Sequence, residues 1–194
     1  LYLDFIEGNI TKIRKFNITG NNRFSNSLLL SKIKSKTKKI TNVLANNNFK
    51  LFQIKDDIIR LKKFYKSEGY RDIKIVEEDV IRNGDYVNIK LSLDPGNKYF
   101  FRNINWVGNY IYEEDILNEV LGIKLGDVYD TETLEKKITY NPKGSDVSSL
   151  YQDNGYLFSN IQPIEIGIIN DSVDIEMRVY EGAQATINKI LIRG

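Results

Sequence analysis

Phe64-Tyr65-Lys66-Ser67-Glu68-Gly69-Tyr70 is answered 86 residues later by Leu150-Tyr151-Gln152-Asp153-Asn154-Gly155-Tyr156. Each stretch reads as the last turn of a helix stopped by glycine, which adopts the left-handed backbone of a helix end without a Cβ clash. The tyrosine that follows (Tyr70, Tyr156) then folds back on Tyr65 in one copy and Tyr151 in the other. One helix ending used twice at a fixed spacing makes the chain a repeat protein, and the period organises what lies on either side.

Working outward, a strand ends in Glu7-Gly8, another in Asp94-Pro95-Gly96 and a third in Glu181-Gly182. Twelve residues after each of these glycines stands another: Gly20, Gly108 and Gly194. The first two are followed by asparagine, as Gly20-Asn21 and Gly108-Asn109. Apolar residues precede them at alternate positions: Phe16 and Ile18, Ile104 and Trp106, Ile190 and Ile192. That is a strand buried on one face and closed by a turn. The first unit then reads as a strand over 12–19, a helix near 25–35, and a second helix over 54–68 carrying Ile58, Leu61, Phe64 and Tyr65. A strand over 72–80 follows, with a turn at Arg82-Asn83-Gly84-Asp85. In the last strand Val87, Ile89, Leu91 and Leu93 alternate with polar residues. The second unit repeats this pattern, except that Asn141-Pro142-Lys143-Gly144 splits its second helix into pieces near 131–139 and 146–153, because proline supplies no N–H and restricts the residue before it.

Each unit is therefore β-α-α-β-β. Two successive helices on one face return the second strand antiparallel to the first. The third strand pairs with the second in a hairpin and lies between the other two. The expected fold class is α+β: tandem three-stranded mixed sheets in the order 1-3-2, each covered on one face by two helices, with the second strand an exposed edge. The expected domains are 9–96 and 97–182, flanked by the last strand of a preceding repeat (1–8) and the first strand of a following one (183–194). The units meet at Asp94-Pro95-Gly96-Asn97 with almost no linker.

Composition removes whole classes of chemistry. The 194 residues contain neither cysteine nor histidine. Disulfides and thiol catalysis are excluded, as are the usual general base near neutral pH and the commonest metal ligand. No catalytic residue, cofactor site or metal site is expected. No apolar run reaches the ~20 residues of a membrane-spanning helix. The opening Leu1-Tyr2-Leu3-Asp4-Phe5 carries neither the basic leader nor the small-residue cleavage site of a signal peptide, and reads as the interior of something longer.

The net charge of +2 hides a split. Residues 9–96 hold 19 Lys+Arg against 9 Asp+Glu, or +10, whereas 97–182 hold 7 against 15, or −8. Opposite signs on adjacent units bear on partners and association, not on fold. The densest basic run, Lys32, Lys34, Lys36, Lys38 and Lys39, reads first as a solvated helix end running into a loop.

Tandem β-α-α-β-β units, with strands ending in Gly-Asn, helices ending in Tyr-x-x-x-Gly-Tyr and last strands ending in an acidic residue plus glycine, resemble POTRA domains. These are the polypeptide-transport-associated modules of outer-membrane assembly proteins. The likeness covers nearly the whole chain and is strongest to the POTRA region of the BamA family of β-barrel assembly proteins. Within that family the long loop at 36–52 is similar to the third repeat, making the second unit the fourth. The resemblance implies the periplasmic portion of a bacterial outer-membrane protein, with a membrane barrel in a C-terminal part outside this sequence. It implies unfolded outer-membrane protein clients, accessory assembly lipoproteins and periplasmic chaperones as partners, and no enzymatic activity.

The physical route matching the expected topology is β-augmentation, in which an extended client adds to an open sheet edge through main-chain hydrogen bonds indifferent to sequence. The candidate edges are 71–80, with Ile73, Lys74, Ile75 and Val76, and 157–168, with Ile161, Ile164 and Ile166. Lys74, Glu77, Glu78 and Pro163 are residues that sheets also use to discourage pairing, so a protected edge is the competing reading. The landmarks Gly20, Asn21, Gly69, Tyr70, Gly108, Asn109, Gly155 and Tyr156 read as structural. A POTRA segment of a two-partner secretion or related translocation pore is an alternative within the family. Outside it, a nucleic-acid-binding module would use the lysine run with Phe24, Phe49 and Phe52, but the −8 unit repels phosphate, and no nucleic-acid partner is expected. A carboxylate-only glycosidase finds no constellation of paired acids.

Overall fold

The structure, a computed structural model, describes residues 10–37, 47–140, 146–186 and 189. The expected strand at 1–6, most of that at 188–193, Lys38 and Lys39 of the basic run, the Pro142 helix break, and the terminal landmarks Gly8 and Gly194 lie outside the described residues. The chain divides into two compact units, the first ending at Gly96 and the second beginning at Asn97, with the short segment Ser67–Arg71 assigned to the second.

The first unit is built from β1 (Lys12–Thr19), α1 (Asn26–Lys32), α2 (Leu51–Ser67), β2 (Lys74–Asn83) and β3 (Tyr86–Asp94). Its sheet order is β1-β3-β2, with β1 parallel and β2 antiparallel to β3. Ile13, Phe16 and Ile18 turn inward from β1, facing Val87, Ile89 and Leu91 of β3. The three-residue step from Ile13 to Phe16 reflects a bulge, since register passes from Ile13–Val87 to Lys15–Asn88 and leaves Arg14 unpaired. Leu29, Ile54, Leu61 and Tyr65 of the helices are fully buried over this face. Each such aliphatic side chain contributes ~1.5–3 kcal/mol.

Apolar periodicity starts α2 three residues late, at 54 instead of Leu51, and runs α1 three residues too long. Ser25 caps α1 by accepting the Leu28 N–H, and the helix stops at Ile33, which is extended (φ −102°, ψ 155°) and buried. The reason is Asp57. Its fully buried carboxylate accepts the N–H groups of Lys34 and Ser35 at 2.6 and 2.9 Å, drawing the chain away from the helical path. Lys36 closes the same helix end by donating to the Ile33 and Leu30 carbonyls at 2.7 and 3.2 Å.

The second unit comprises β4 (Phe100–Val107), α3 (Glu114–Leu121), α4 (Thr131–Thr139), α5 (Val147–Asp153), β5 (Asn160–Ile169) and β6 (Ser172–Tyr180). Its sheet order, β4-β6-β5, repeats the first, including a bulge at Arg102 equivalent to that at Arg14. Asp130 and Asp146 cap α4 and α5 through their carboxylates. One hydrophobic cluster fills this unit, with Trp106, Leu117, Leu121, Leu134, Ile138, Tyr151, Val173, Ile175 and Met177 at its centre. The α+β, tandem, two-layer architecture is as the sequence leads one to expect.

The landmarks hold the turns. At Gly20 and Gly108 a Cβ would collide with the carbonyl oxygens of Leu93 and Val179, because the chain leaving the first strand stays at backbone contact with the last strand, its parallel neighbour. The Asn21 Oδ1 accepts the N–H groups of Arg23 and Phe24 and the Tyr65 hydroxyl, tying the turn to α2. Gly155, at φ +87°, ends α5 with the paired bonds Gly155 N–H to Gln152 and Tyr156 N–H to Tyr151, and Tyr156 stacks edge-on against Tyr151 at 6.3 Å. The Gly69 carbonyl accepts the Tyr99 N–H at 2.9 Å, and 86 residues later Gly155 accepts that of Ala185 at 2.8 Å.

Candidate functional site

β2 and β5 are margins of their sheets. Each is ten residues long and pairs on one side only, with β3 or β6. Among the described residues no strand covers the other side. The margins begin later and run further than the sequence suggests, at Lys74–Asn83 and Asn160–Ile169 instead of 71–80 and 157–168. Arg71 and Asp72 lie in a turn, and the Ser159 N–H donates to the Tyr156 carbonyl before β5 starts.

The proposed edge residues do not make one stripe. Ile73 is buried just ahead of β2, and Ile161 is buried at the start of β5. Ile75 is half-buried opposite Leu93, whereas Lys74 is exposed opposite Asp94. Val76 is 67% exposed because β2 bulges there, its register jumping between Ile75 and Glu77. Ile164 is half-buried opposite Glu176. Ile166 is 48% exposed at a separate disturbance further along β5, between Glu165 and Gly167. Each margin thus presents one bulged apolar side chain, near the start of β2 and near the end of β5. A bulge adds a residue that has no cross-strand partner.

Sequence reading ended the margins at 80 and 168 and singled out none of their last apolar residues. Val80 and Ile81 on β2, and Ile168 and Ile169 on β5, are exposed apolar residues. The signal was present as adjacent apolar pairs, which break strict alternation and place one apolar group on each face. In the second unit a cavity of about 490 Å³ lies between α4 and β5, formed by Ile138 and Thr139 on the helix and residues 161–164 on the strand. Pro163 pairs in register with Met177 and supplies no N–H.

The charged residues of these strands are partly committed within their own units. Lys90 on β3 donates to Glu77 at 2.7 Å; this bond holds the Glu77 carboxyl below the ordinary carboxylate range and raises Lys90 in turn. Glu165 accepts the Tyr129 hydroxyl at 2.5 Å and pairs with Arg71 at 2.7 Å. Burial, and then that hydrogen bond, push the Tyr129 phenol above its ordinary range. On the open sheet face Arg102 forks onto Asp174, which also accepts the Asn103 amide at 2.8 Å; these bonds hold the Asp174 carboxyl below its ordinary range.

The basic aromatic surface fares less well. Phe24 packs against Phe64 and Tyr65 at 4.9 and 5.2 Å, and Lys32 lies over the Phe64 ring. Phe52 is exposed, while Phe49 is half-buried and its N–H is bonded to Thr11. Lys36 is spent on the end of α1.

The model of the POTRA family, described as a surface antigen variable number repeat, matches residues 11–96 and again 99–182. The outer membrane protein assembly factor BamA of Neorickettsia risticii (strain Illinois) is 26% identical over 191 residues, which cover 97% of this chain and 25% of that protein. BamA of Neisseria meningitidis serogroup B is 22% identical over 187 residues, 94% of this chain and 23% of that protein. The chain spans about a quarter of the length of these relatives. Among solved structures, the crystal structure of Haemophilus influenzae BamA POTRA3-5 superposes with a TM-score of 0.65 at 19% identity, covering 91% of this chain and 68% of that one.

Proposed function

The chain belongs to the POTRA family, and from that premise we propose that it is a periplasmic segment of a bacterial outer-membrane protein assembly factor, which receives unfolded outer-membrane proteins by β-augmentation and docks accessory lipoproteins. It acts by binding, without a catalytic step. The observation that carries this reading is the pair of ten-residue margins, β2 and β5, neither of which has a strand on its second side among the described residues. A guest strand laid on either margin gains main-chain hydrogen bonds whatever its sequence, which suits a receptor for many clients. The bulged Val76 and Ile166 interrupt a flat edge and so limit pairing between copies, yet leave an apolar contact for a guest. BamA relatives match nearly the whole chain, which supports an assembly role for the protein of which these units are part.

Backbone-amide NMR during titration with a synthetic barrel-strand peptide tests this. The expected result is shifts confined to β2 and β5 and their neighbours on β3 and β6. Shifts confined to the helices would overturn it.

A further inference from the structure

The bulges of β1 and β4 fall at the same place in the repeat. Arg14 stands between the pairs Ile13–Val87 and Lys15–Asn88, and Arg102 between Phe101–Val173 and Asn103–Asp174. Arg14, Lys15 and Asn88 of the first unit therefore correspond to Arg102, Asn103 and Asp174 of the second. Asn88 and Asp174 lie on the open sheet face, because they alternate with the inward Val87 and Ile89 in one unit and Val173 and Ile175 in the other.

In the second unit this arrangement is closed. Asp174 takes the Arg102 guanidinium on both carboxylate oxygens, with Nε at 2.7 Å, and the Asn103 amide at 2.8 Å. A fork of this kind is the geometry in which a guanidinium holds a carboxylate most strongly. In the first unit the cations are present and the carboxylate is replaced by the amide of Asn88. Its Oδ1 is buried and accepts no hydrogen bond among the described residues. Arg14 and Lys15 are exposed, and among the described residues neither has a carboxylate partner. Lys12, at the start of β1, is exposed as well. The acids of this face sit further along it, where Glu77 accepts from Lys90 and Asp79 lies opposite Lys90. The rim differs in the same sense. Ile81, 59% exposed, is the cross-strand neighbour of Asn88, and Tyr86, 45% exposed, that of Lys12. The second unit has Gly167 and Ser172 at those positions.

We propose that this part of the first unit's open sheet face binds an acidic surface of a partner protein, one aspartate or glutamate of which places its carboxylate between Arg14 and Lys15, over Asn88. The occupant is a carboxylate because the second unit holds one, Asp174, at the same position of the same fold. The +10 excess of the first unit draws acidic partners toward it. Cations pulled in by the guest carboxylate also give the Asn88 Oδ1 the donor it lacks. Ile81 and Tyr86 pack on the aliphatic stem of the acidic side chain and on the partner residues beside it. Recognition is by side chains on the face. No strand is added, and the site does not depend on the use proposed for the margins.

The probe is a short fluorescein-labelled peptide of alternating Glu and Pro, whose prolines bar it from strand pairing. Its affinity for the full 194-residue chain is measured by fluorescence anisotropy at low salt. Arg14→Gln removes the fork, and Asn88→Asp supplies the missing carboxylate from within. Each is expected to weaken binding about tenfold, whereas Lys55→Gln, on the exposed face of α2 and with the same change in charge, alters it less than about twofold. Equal weakening by all three variants means diffuse attraction to a basic unit and overturns the inference, as does an absence of binding. Vesicles of phosphatidylglycerol that bind through Arg14 while the peptide does not would assign the patch to a lipid surface and overturn the protein partner. Self-association abolished by Arg14→Gln would assign it to a second copy and overturn it likewise. The unaltered chain gives a readout that needs no variant: on titration the amides of residues 12–15 and the Asn88 side-chain amide shift in NMR spectra, and the inference falls if they are unmoved at saturation. Because the peptide cannot add as a strand, its failure leaves β-augmentation at β2 and β5 standing, and the reverse holds equally.

Discussion

Gly20 and Gly108 show how little freedom the repeat leaves at single positions. Both have positive φ (+74° and +87°), and at both a Cβ would strike a carbonyl oxygen of the last strand. Gly20→Ala or Gly108→Ala should therefore cost more than about 2 kcal/mol, strain and collision adding together. Gly84 separates the two effects: at φ +60° with open space around it, Gly84→Ala should cost only about 1–2 kcal/mol, measured by urea unfolding. The spacing of these glycines was plain in the sequence; the approach of a partner backbone that makes them necessary was not. Asp57 was legible in part, since Ile54 and Leu61 bracket it on the buried face of one helix. That its carboxylate ends α1 depends on a contact 22 residues distant, which periodicity does not report. Asp57→Ala orphans two N–H groups and should destabilise the first unit by about 2–4 kcal/mol. Asp174 gives a pH test. Its folded pKa is depressed by Arg102, so its contribution is present above the ordinary value near ~3.9 and is lost as pH falls through the lower folded value. Trp106 fluorescence should show the second unit weakening in that acid window, and Asp174→Asn should remove this part of the pH dependence.

The strands were the most legible elements and the helix ends the least. β1 and α4 lie over the ranges that alternation and the proline break set, 12–19 and 131–139, because both signals are local. Sheet order followed from chain reversal alone. The bulges at Arg14, Val76, Arg102 and Ile166 were hidden, since an extra residue in a strand shows only against its partner. They matter for the candidate site: they decide that Val76 and Ile166 face outward while Ile73 and Ile161 serve the core. Val76→Lys and Ile166→Lys should leave stability within about 0.5 kcal/mol, as exposed positions do. Each should lower affinity for a barrel-strand peptide about tenfold, equivalent to about 1.4 kcal/mol, in a fluorescence-anisotropy titration.

At the scale of the whole molecule, the 86-residue period yields two units, each with its own sheet. The chain's one tryptophan, Trp106, lies in the core of the second, so its fluorescence reports that unit alone. Leu61→Ala removes a fully buried side chain from the first unit and should cost about 2–5 kcal/mol there. Circular dichroism should then show an early transition while the Trp106 transition stays in place; a shift of both together would mean one cooperative core. The function proposed for these units rests on open sheet margins receiving a guest backbone. Hydrogen–deuterium exchange of the full chain, alone and with an unfolded outer-membrane barrel polypeptide, tests that most directly. The expected result is slowed exchange concentrated in the marginal strands, β2 and β5 foremost. Slowed exchange confined to the helices, with every marginal strand exchanging as in the free protein, would contradict it.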